Sequence, residues 1–282
     1  MNSSVSLYHY SKPEVTWMQR TIVHNEIYFL SREQLNDPFD LRNKITIDDL
    51  NVSSEKHIKA FFGICELFAN AVSEWPEEVQ KWQDMAKNGP SDAHVKKRFV
   101  DEIDAGIEDI AKTNGIFCLT DDPASIPMWS HYADGHKGVA YRFNVEGVRG
   151  EERCVKMTYK DGFLKFKDIA DVFRGANDDA GKFARNLFKL AYAWKAESWE
   201  SEKEWRLFSK IAIKSYLKIP LGSMELTGII LGMKMKREMR VKVMRLIRES
   251  RRQIQIFDAK PCKGSIGLQL VPVDNGNGRC SF

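Results

Sequence analysis

Glu202-Lys203-Glu204-Trp205-Arg206-Leu207-Phe208 sets two carboxylates at i and i+2 inside a run whose other members favour a strand. Side chains alternate along a strand, so this reading sends Glu202 and Glu204 to one face and Trp205 and Leu207 to the other. Two neighbouring carboxylates shielded from water resist simultaneous ionisation, which an active site can use and a hydrophobic core cannot. Glu204 is therefore the first candidate for a catalytic group; the bland alternative is an exposed strand whose outer face is merely charged. Arg206 shares the Glu204 face and is expected to pair with Glu202, holding the acids ionised.

Working outward from this strand, apolar periodicity alternates between strand and helix along the chain. Strands are expected at Val5 to Tyr10, Ile27 to Ser31, Gly115 to Thr120, Gly138 to Phe143, near Arg153 to Tyr159, and at Met224 to Leu231, Ile254 to Phe257 and Gly267 to Val273. Pro13 opens a short helix through Arg20, and Asn36-Asp37-Pro38-Phe39-Asp40 is a turn in which Asn36 and Asp37 can bond backbone groups. From about 52 to 112 the pattern is helical, with Ile58, Phe61, Phe62, Cys65, Phe68, Ala69 and Val72 keeping one face. Further helices are expected at Pro127 to Ala133, Lys165 to Phe173, Asp178 to Trp194 and Lys234 to Arg252. No repeat and no low-complexity linker interrupts the order, so one α+β domain over 1–282 with a helical insertion is the simplest account.

At 282 residues and 43% hydrophobic content the chain can bury a sizeable core. No run approaches the roughly 18 apolar residues that span a bilayer, and Met1-Asn2-Ser3-Ser4 lacks an export signal. Cys65, Cys118, Cys154, Cys262 and Cys280 form an odd set without the spacing of a zinc site or disulfide framework, which fits a cytoplasmic protein. Net charge is only +4, yet Lys234 to Arg252 holds nine Lys or Arg against two Glu. Its apolar stripe of Met235, Met239, Val243 and Leu246 leaves Arg237, Arg240 and Arg248 outward, a face suited to phosphates of nucleic acid as well as to plain solvation.

Met128-Trp129-Ser130-His131-Tyr132-Ala133-Asp134-Gly135-His136 follows directly on a strand and is dense in polar aromatics. Each brings an N–H or O–H that a dry core must satisfy, so a ligand site competes with a hydrogen-bonded corner as its explanation. Trp129 and Tyr132, at i and i+3, share a helix face. His131 and His136 lack the neighbours that a metal site requires. In the first strand, Leu7, His9 and Ser11 share a face.

Taken together, LYHYS, LNDPFD, MWSHYADGHKG, EKEWRLF and GIILG resemble a bacterial family of uncharacterised proteins, domain of unknown function 2971, over about residues 7 to 232. A more distant resemblance is to ADP-ribosyltransferases of the histidine-tyrosine-glutamate type, carried by His9-Tyr10-Ser11, then Gly115-Ile116-Phe117-Cys118 leading to Tyr132, then Glu202-Lys203-Glu204. That resemblance implies a mixed, mostly antiparallel sheet core of ADP-ribosyltransferase-like type with NAD as co-substrate. His9, with Tyr10 and Ser11, would hold the ribose, Tyr132 or Trp129 would stack on nicotinamide, and Glu204, supported by Glu202 and Arg206, would stabilise the oxocarbenium-like transition state. Phe117 stands where these transferases often carry Tyr, and Asn36 joins the cofactor-binding set. By the same resemblance the chain is a toxin or phage-defence effector modifying nucleic acid or protein, with an antitoxin as partner. The rival expectation is a non-catalytic nucleotide- or partner-binding module of the same fold. A nuclease is disfavoured by the lack of clustered acids for two metals.

Overall fold

The strand that begins at Glu204 lies one place from the edge of an eight-stranded sheet. The structure, a computed structural model, describes residues 4–42, 44–145, 154–177, 179–209, 213–219 and 224–273. In chain order it begins with β1 (Val5–Ser11), α1 (Val15–Ile22), β2 (Glu26–Phe29) and β3 (Ile45–Thr46), followed by α2 (Glu55–Ala71), α3 (Pro76–Asn88) and α4 (Ala93–Thr113). Then come β4 (Gly115–Thr120), α5 (Ile126–Tyr132), β5 (Val139–Val145), β6 (Cys154–Lys156), β7 (Thr158–Tyr159) and β8 (Leu164–Lys165). The remainder is α6 (Phe166–Ala176), α7 (Ala180–Tyr192), β9 (Trp194–Lys195), β10 (Glu204–Ser209), β11 (Ser215–Lys218), β12 (Met224–Leu231), α8 (Arg237–Ser250), β13 (Gln255–Pro261) and β14 (Leu268–Pro272). Arg153, Asp178 and Cys280, which bound or belong to features expected from the sequence, lie outside the described residues.

The chain forms two compact units: Met1–Ser31, Asn114–Met157 and Ser198–Phe282 make one, Arg32–Thr113 and Thr158–Glu197 the other. The first holds the sheet, in the order β14-β13-β12-β5-β1-β4-β10-β6. Its pairings are antiparallel except β12 with β13, which are parallel and joined through α8, since a parallel pair needs a crossover. The architecture is thus α+β, as the sequence pattern implies, with the mixed, mostly antiparallel sheet that the resemblance implies. On one sheet face Leu7, Tyr141, Phe143, Phe117, Leu119, Ile229 and Ile256 pack with Met18 and Ile22 of α1 and Val243 and Leu246 of α8. Arg252 ties these helices together, donating to Asn25 Oδ1 at 2.5 Å, to Thr21 O at 3.1 Å and to Ile22 O. On the opposite face Tyr10, Trp129, Ala133, Ala140, Ile230 and Ala259 form a smaller core beneath α5.

The other unit is built on α2, α3, α4, α6 and α7 with two short parallel pairs, β3 with β8 and β7 with β9. Aromatic rings fill it: Phe61 lies 4.8 Å from Phe99 and Phe68 stacks on Trp82 at 4.6 Å. The α2 start is capped by Ser54 and the α7 start by Asp179, each accepting from a backbone N–H of the first turn. Asp49 reaches across to accept from Phe166 N and Lys167 N at the start of α6. The Asn36 turn belongs to this unit. Asp37 forms the Asx bond expected there, to Phe39 N at 2.8 Å, while Asn36 is exposed.

Candidate functional site

A register row positions the acids. Tyr8 of β1 lies opposite Thr120 of β4, and Thr120 opposite Glu204 at the start of β10. Directly paired residues share a face, so Glu204 and Arg206 belong with Tyr8, Tyr10 and Thr120 on the α5 side of the sheet. Glu202 is not on the strand, as the i, i+2 reading has it. It ends a 3-10 turn (Glu197–Glu202), and Lys203 takes a left-handed φ of 47° before the strand starts. The two acids nonetheless stay close, through a turn rather than through strand alternation, and both are buried.

Their side chains are held by hydrogen bonds. Arg206 forks onto Glu204, Nε to Oε1 at 2.8 Å and Nη2 to Oε2 at 3.1 Å, with the guanidinium wholly enclosed. Glu202 receives the Tyr132 hydroxyl on Oε1 at 2.6 Å, and its carbonyl accepts from Thr120 Oγ1 at 2.7 Å. A rim of charge surrounds this group: Lys156 pairs with Asp121 at 3.1 Å and Lys203 with Asp122 at 3.0 Å. Trp205 Nε1 donates to Asp121 beneath the Lys156 ammonium.

Other residues expected in the site are placed elsewhere. His9 points to the opposite face, because alternation on β1 separates it from Tyr8; its ring stacks on Phe117 at 4.4 Å. The expectation of one cleft lined by His9, Tyr132 and Glu204 is therefore corrected: the acids and Tyr132 come together and His9 does not join them. Burial lowers the His9 pKa below the ordinary imidazole value, the bond to Cys118 opposing this in part. The neutral ring donates from Nδ1 to Cys118 O at 2.8 Å, which fixes its tautomer. Phe117, 3% exposed, lies in the large core and Trp129, with no exposure, in the small one. Neither presents a ring face for a nicotinamide to stack on. Trp129 donates to Pro123 O at 3.0 Å and Tyr10 to Asp122 O at 2.8 Å, so both hold the loop between β4 and α5. Ser11 bonds its neighbour Lys12. On α8, Arg237 and Arg248 are exposed, but Arg240 is half-buried and paired with Asp258 at 2.7 Å, which corrects its expected outward role.

Sequence reasoning missed several residues that shape this face. Thr120 is fully buried between the acids and Tyr8, and only the strand order reveals it. Gly138 and Gly232 permit a close backbone approach beside α5: a Cβ at Gly138 would lie 2.1 Å from Ser11 O, and one at Gly232 2.2 Å from His136 O. The glycines themselves were the available signal. The seam between β1 and β4 is a second such feature. β1 pairs with β5 along its whole length, yet meets β4 only at Tyr8 opposite Thr120. The sheet is thus parted at its middle, and the acids stand at the end of that parting. Among the described residues no group of three or more His, Cys, Asp or Glu could hold a metal ion, and no helix is long and apolar enough to cross a membrane.

Residues 128–207 match the model of a family described as "Protein of unknown function (DUF2971)". The matched segment runs from the start of α5 to β10 and so contains Tyr132, Glu202, Glu204 and Arg206. No curated protein and no solved structure gives a significant match to the chain.

Proposed function

We propose that the chain is an ADP-ribosyltransferase-like enzyme that takes NAD as co-substrate and transfers ADP-ribose to nucleic acid or protein, in a toxin or defence role. The observation that supports this reading most is the buried Glu202 and Glu204 pair at the parted β1–β4 seam, held by one phenol and one guanidinium. Breaking the glycosidic bond to nicotinamide develops positive charge on the ribose, and a preplaced carboxylate lowers that barrier electrostatically. Within the pair, Arg206 meets both oxygens of Glu204 and makes it a positioning residue. Glu202, oriented by the half-exposed Tyr132, is then the carboxylate assigned to the reacting ribose.

Incubation with labelled NAD, alone and with RNA, DNA or lysate, tests the reading. Nicotinamide release that is lost in Glu202→Gln is the expected result. Intact NAD under all conditions refutes it. A second reading, a non-catalytic nucleotide- or partner-binding module, is favoured by one specific observation: the enclosed positions of Phe117 and Trp129 and the turned-away His9 leave three of the expected NAD-handling groups out of reach of a ligand on this face. Binding of NAD without cleavage would support it.

A further inference from the structure

The row that places Glu204 continues past Tyr8. Tyr8 lies opposite Arg142 of β5, and Arg142 opposite Gly228 of β12, so Gly228, Arg142, Tyr8, Thr120 and Glu204 form one line across five strands. Paired residues share a face, which sets Arg142 on the side of Tyr132 and the acids. At about 4.8 Å per strand, three steps put its backbone about 14 Å from that of Glu204, and its guanidinium is turned further away, towards Thr227 of β12 and Gln255 and Phe257 of β13.

Arg142 is half-buried, and every bond it makes goes to a neutral group. Nε donates to Thr227 Oγ1 at 3.2 Å, and Nη2 to Gln255 Oε1 at 2.8 Å and Thr227 O at 3.4 Å. Its guanidinium lies over the Phe257 ring, 5.2 Å from the centroid. Gly228 makes the room, since a Cβ there would stand 3.1 Å from Nε. Among the described residues no carboxylate lies within ion-pair distance of it, and Nη1 has no partner. A structural arginine that is partly withdrawn from water ordinarily meets an acid. This one is fixed in direction by a threonine, a glutamine and an aromatic ring, and among the described residues no acid answers its charge.

We infer that Arg142 forms an anion subsite on this face and binds the diphosphate of a nucleotide whose far end reaches Glu202 and Glu204. The inference rests on the reading of this face as a nucleotide site and adds the residue that would select a phosphorylated ligand. The row sets the ligand's direction, with the phosphates beside β12 and β13, where the guanidinium lies, and the reacting sugar over β4 and β10. Tyr8, half-buried between the two ends, forms the floor.

The test is calorimetric titration of the full chain with ADP, adenosine and inorganic pyrophosphate. The wild type should bind ADP at least tenfold more tightly than adenosine, with an affinity for ADP that falls as salt is added. Arg142→Gln should lower ADP affinity tenfold or more and leave adenosine unchanged, while Arg142→Lys should keep part of the gain because a point charge lacks the fork. Arg142 also braces β5 against β12 and β13, so melting temperatures are measured beside the titrations. Gly228→Ala serves as the second variant, retaining the charge while its methyl displaces Nε, and should weaken ADP several-fold. Equal binding of ADP and adenosine by the wild type, ADP affinity insensitive to salt, or a folded Arg142→Gln that binds ADP unchanged overturns the subsite. NAD cleavage is measured separately. Cleavage that needs Glu202 but ignores Arg142 sinks the subsite and spares the enzyme reading; ADP binding through Arg142 in a chain that never cleaves NAD does the reverse.

Discussion

Glu204→Gln takes a counterion from a guanidinium that has no contact with solvent. The Arg206 side chain is 0% and the Glu204 side chain 5% exposed, and the fork between them is bidentate. Removing one member of a buried pair withdraws a counterion from the other, at a cost of roughly 3–5 kcal/mol where none remains. Glutamine keeps one acceptor oxygen for the fork, which places the expected loss near the lower end, about 3 kcal/mol. For a chain of this size each kcal/mol moves Tm by about 2–4 °C, so a drop of roughly 6–12 °C is expected. Urea unfolding followed by tryptophan fluorescence gives the cleaner measure, because a lower midpoint at constant slope is a loss of native stability and not a change in the unfolded chain. The double variant Glu204→Gln, Arg206→Met removes both charges and should recover most of the loss. A single variant with an unchanged midpoint, or a double variant less stable than the single losses combined, would refute the argument. One consequence reaches the enzymology: inactivity of Glu204→Gln reports on structure as well as chemistry, and Glu202→Gln is the variant that isolates the chemistry.

Burial holds His9 and His136 below the ordinary imidazole pKa, with Lys234 adding to the effect at His136. The unfolded chain therefore takes up protons near pH 6.5 that the folded chain refuses, so stability is full above that pH and declines as pH falls, by up to about 1.4 kcal/mol per pH unit for each histidine. His9→Gln should flatten the stability slope between pH 6.5 and 5 in urea unfolding, and an unaltered slope counts against the assignment. Arg32 holds the Glu108 carboxyl down at about 2, chiefly by its hydrogen bond; carboxyl NMR titration should show that value, and Arg32→Gln should raise it towards 4.5. Gly232→Ala forces a methyl against the His136 carbonyl and should cost at least 1–3 kcal/mol in thermal unfolding; a neutral substitution would contradict the close approach. On α8, Arg237, Arg245 and Arg248 are exposed. If nucleic acid is the acceptor, replacing all three by Ala should reduce the slope of log affinity against log salt by about 0.7 to 0.9 per lost contact; unchanged affinity returns the helix to a solvated face.

Apolar periodicity made the sheet strands and long helices legible, because each buries a face whose spacing is visible in the chain. The two-residue strands β3, β8 and β9 were not legible, since a pair of that length is imposed by its surroundings and carries no period of its own. Lys203 illustrates a different limit. A lysine gives no warning of a positive φ, and that single residue takes Glu202 off the strand. Alternation correctly grouped Leu7, His9 and Ser11, but it could not say which layer their face would meet, because both faces of β1 are buried and both carry rings. Arg240 failed for a related reason: helical spacing shows which residues point outward, but not that Asp258 of β13 waits beside one of them.

The aromatic corner at 129–136 shows how a misread residue can still serve the site it was assigned to. Tyr10 and Trp129 were expected to touch a ligand, yet their polar atoms bind the carbonyls of Asp122 and Pro123, and their rings meet edge to face at 5.0 Å. Those bonds anchor the loop that leads into α5, where Ser125 accepts from Met128 N and starts the helix. Three residues after Trp129 the same helix presents Tyr132, and its hydroxyl reaches Glu202 at 2.6 Å. Density of polar aromatics therefore marked a segment whose members divide the work. The enclosed rings fix the position of α5 and the half-exposed one meets the acid. Loss of the Trp129 indole should accordingly act on Glu202 through Tyr132, shifting the orientation of the carboxylate without removing any group from the face where the ligand is proposed to bind.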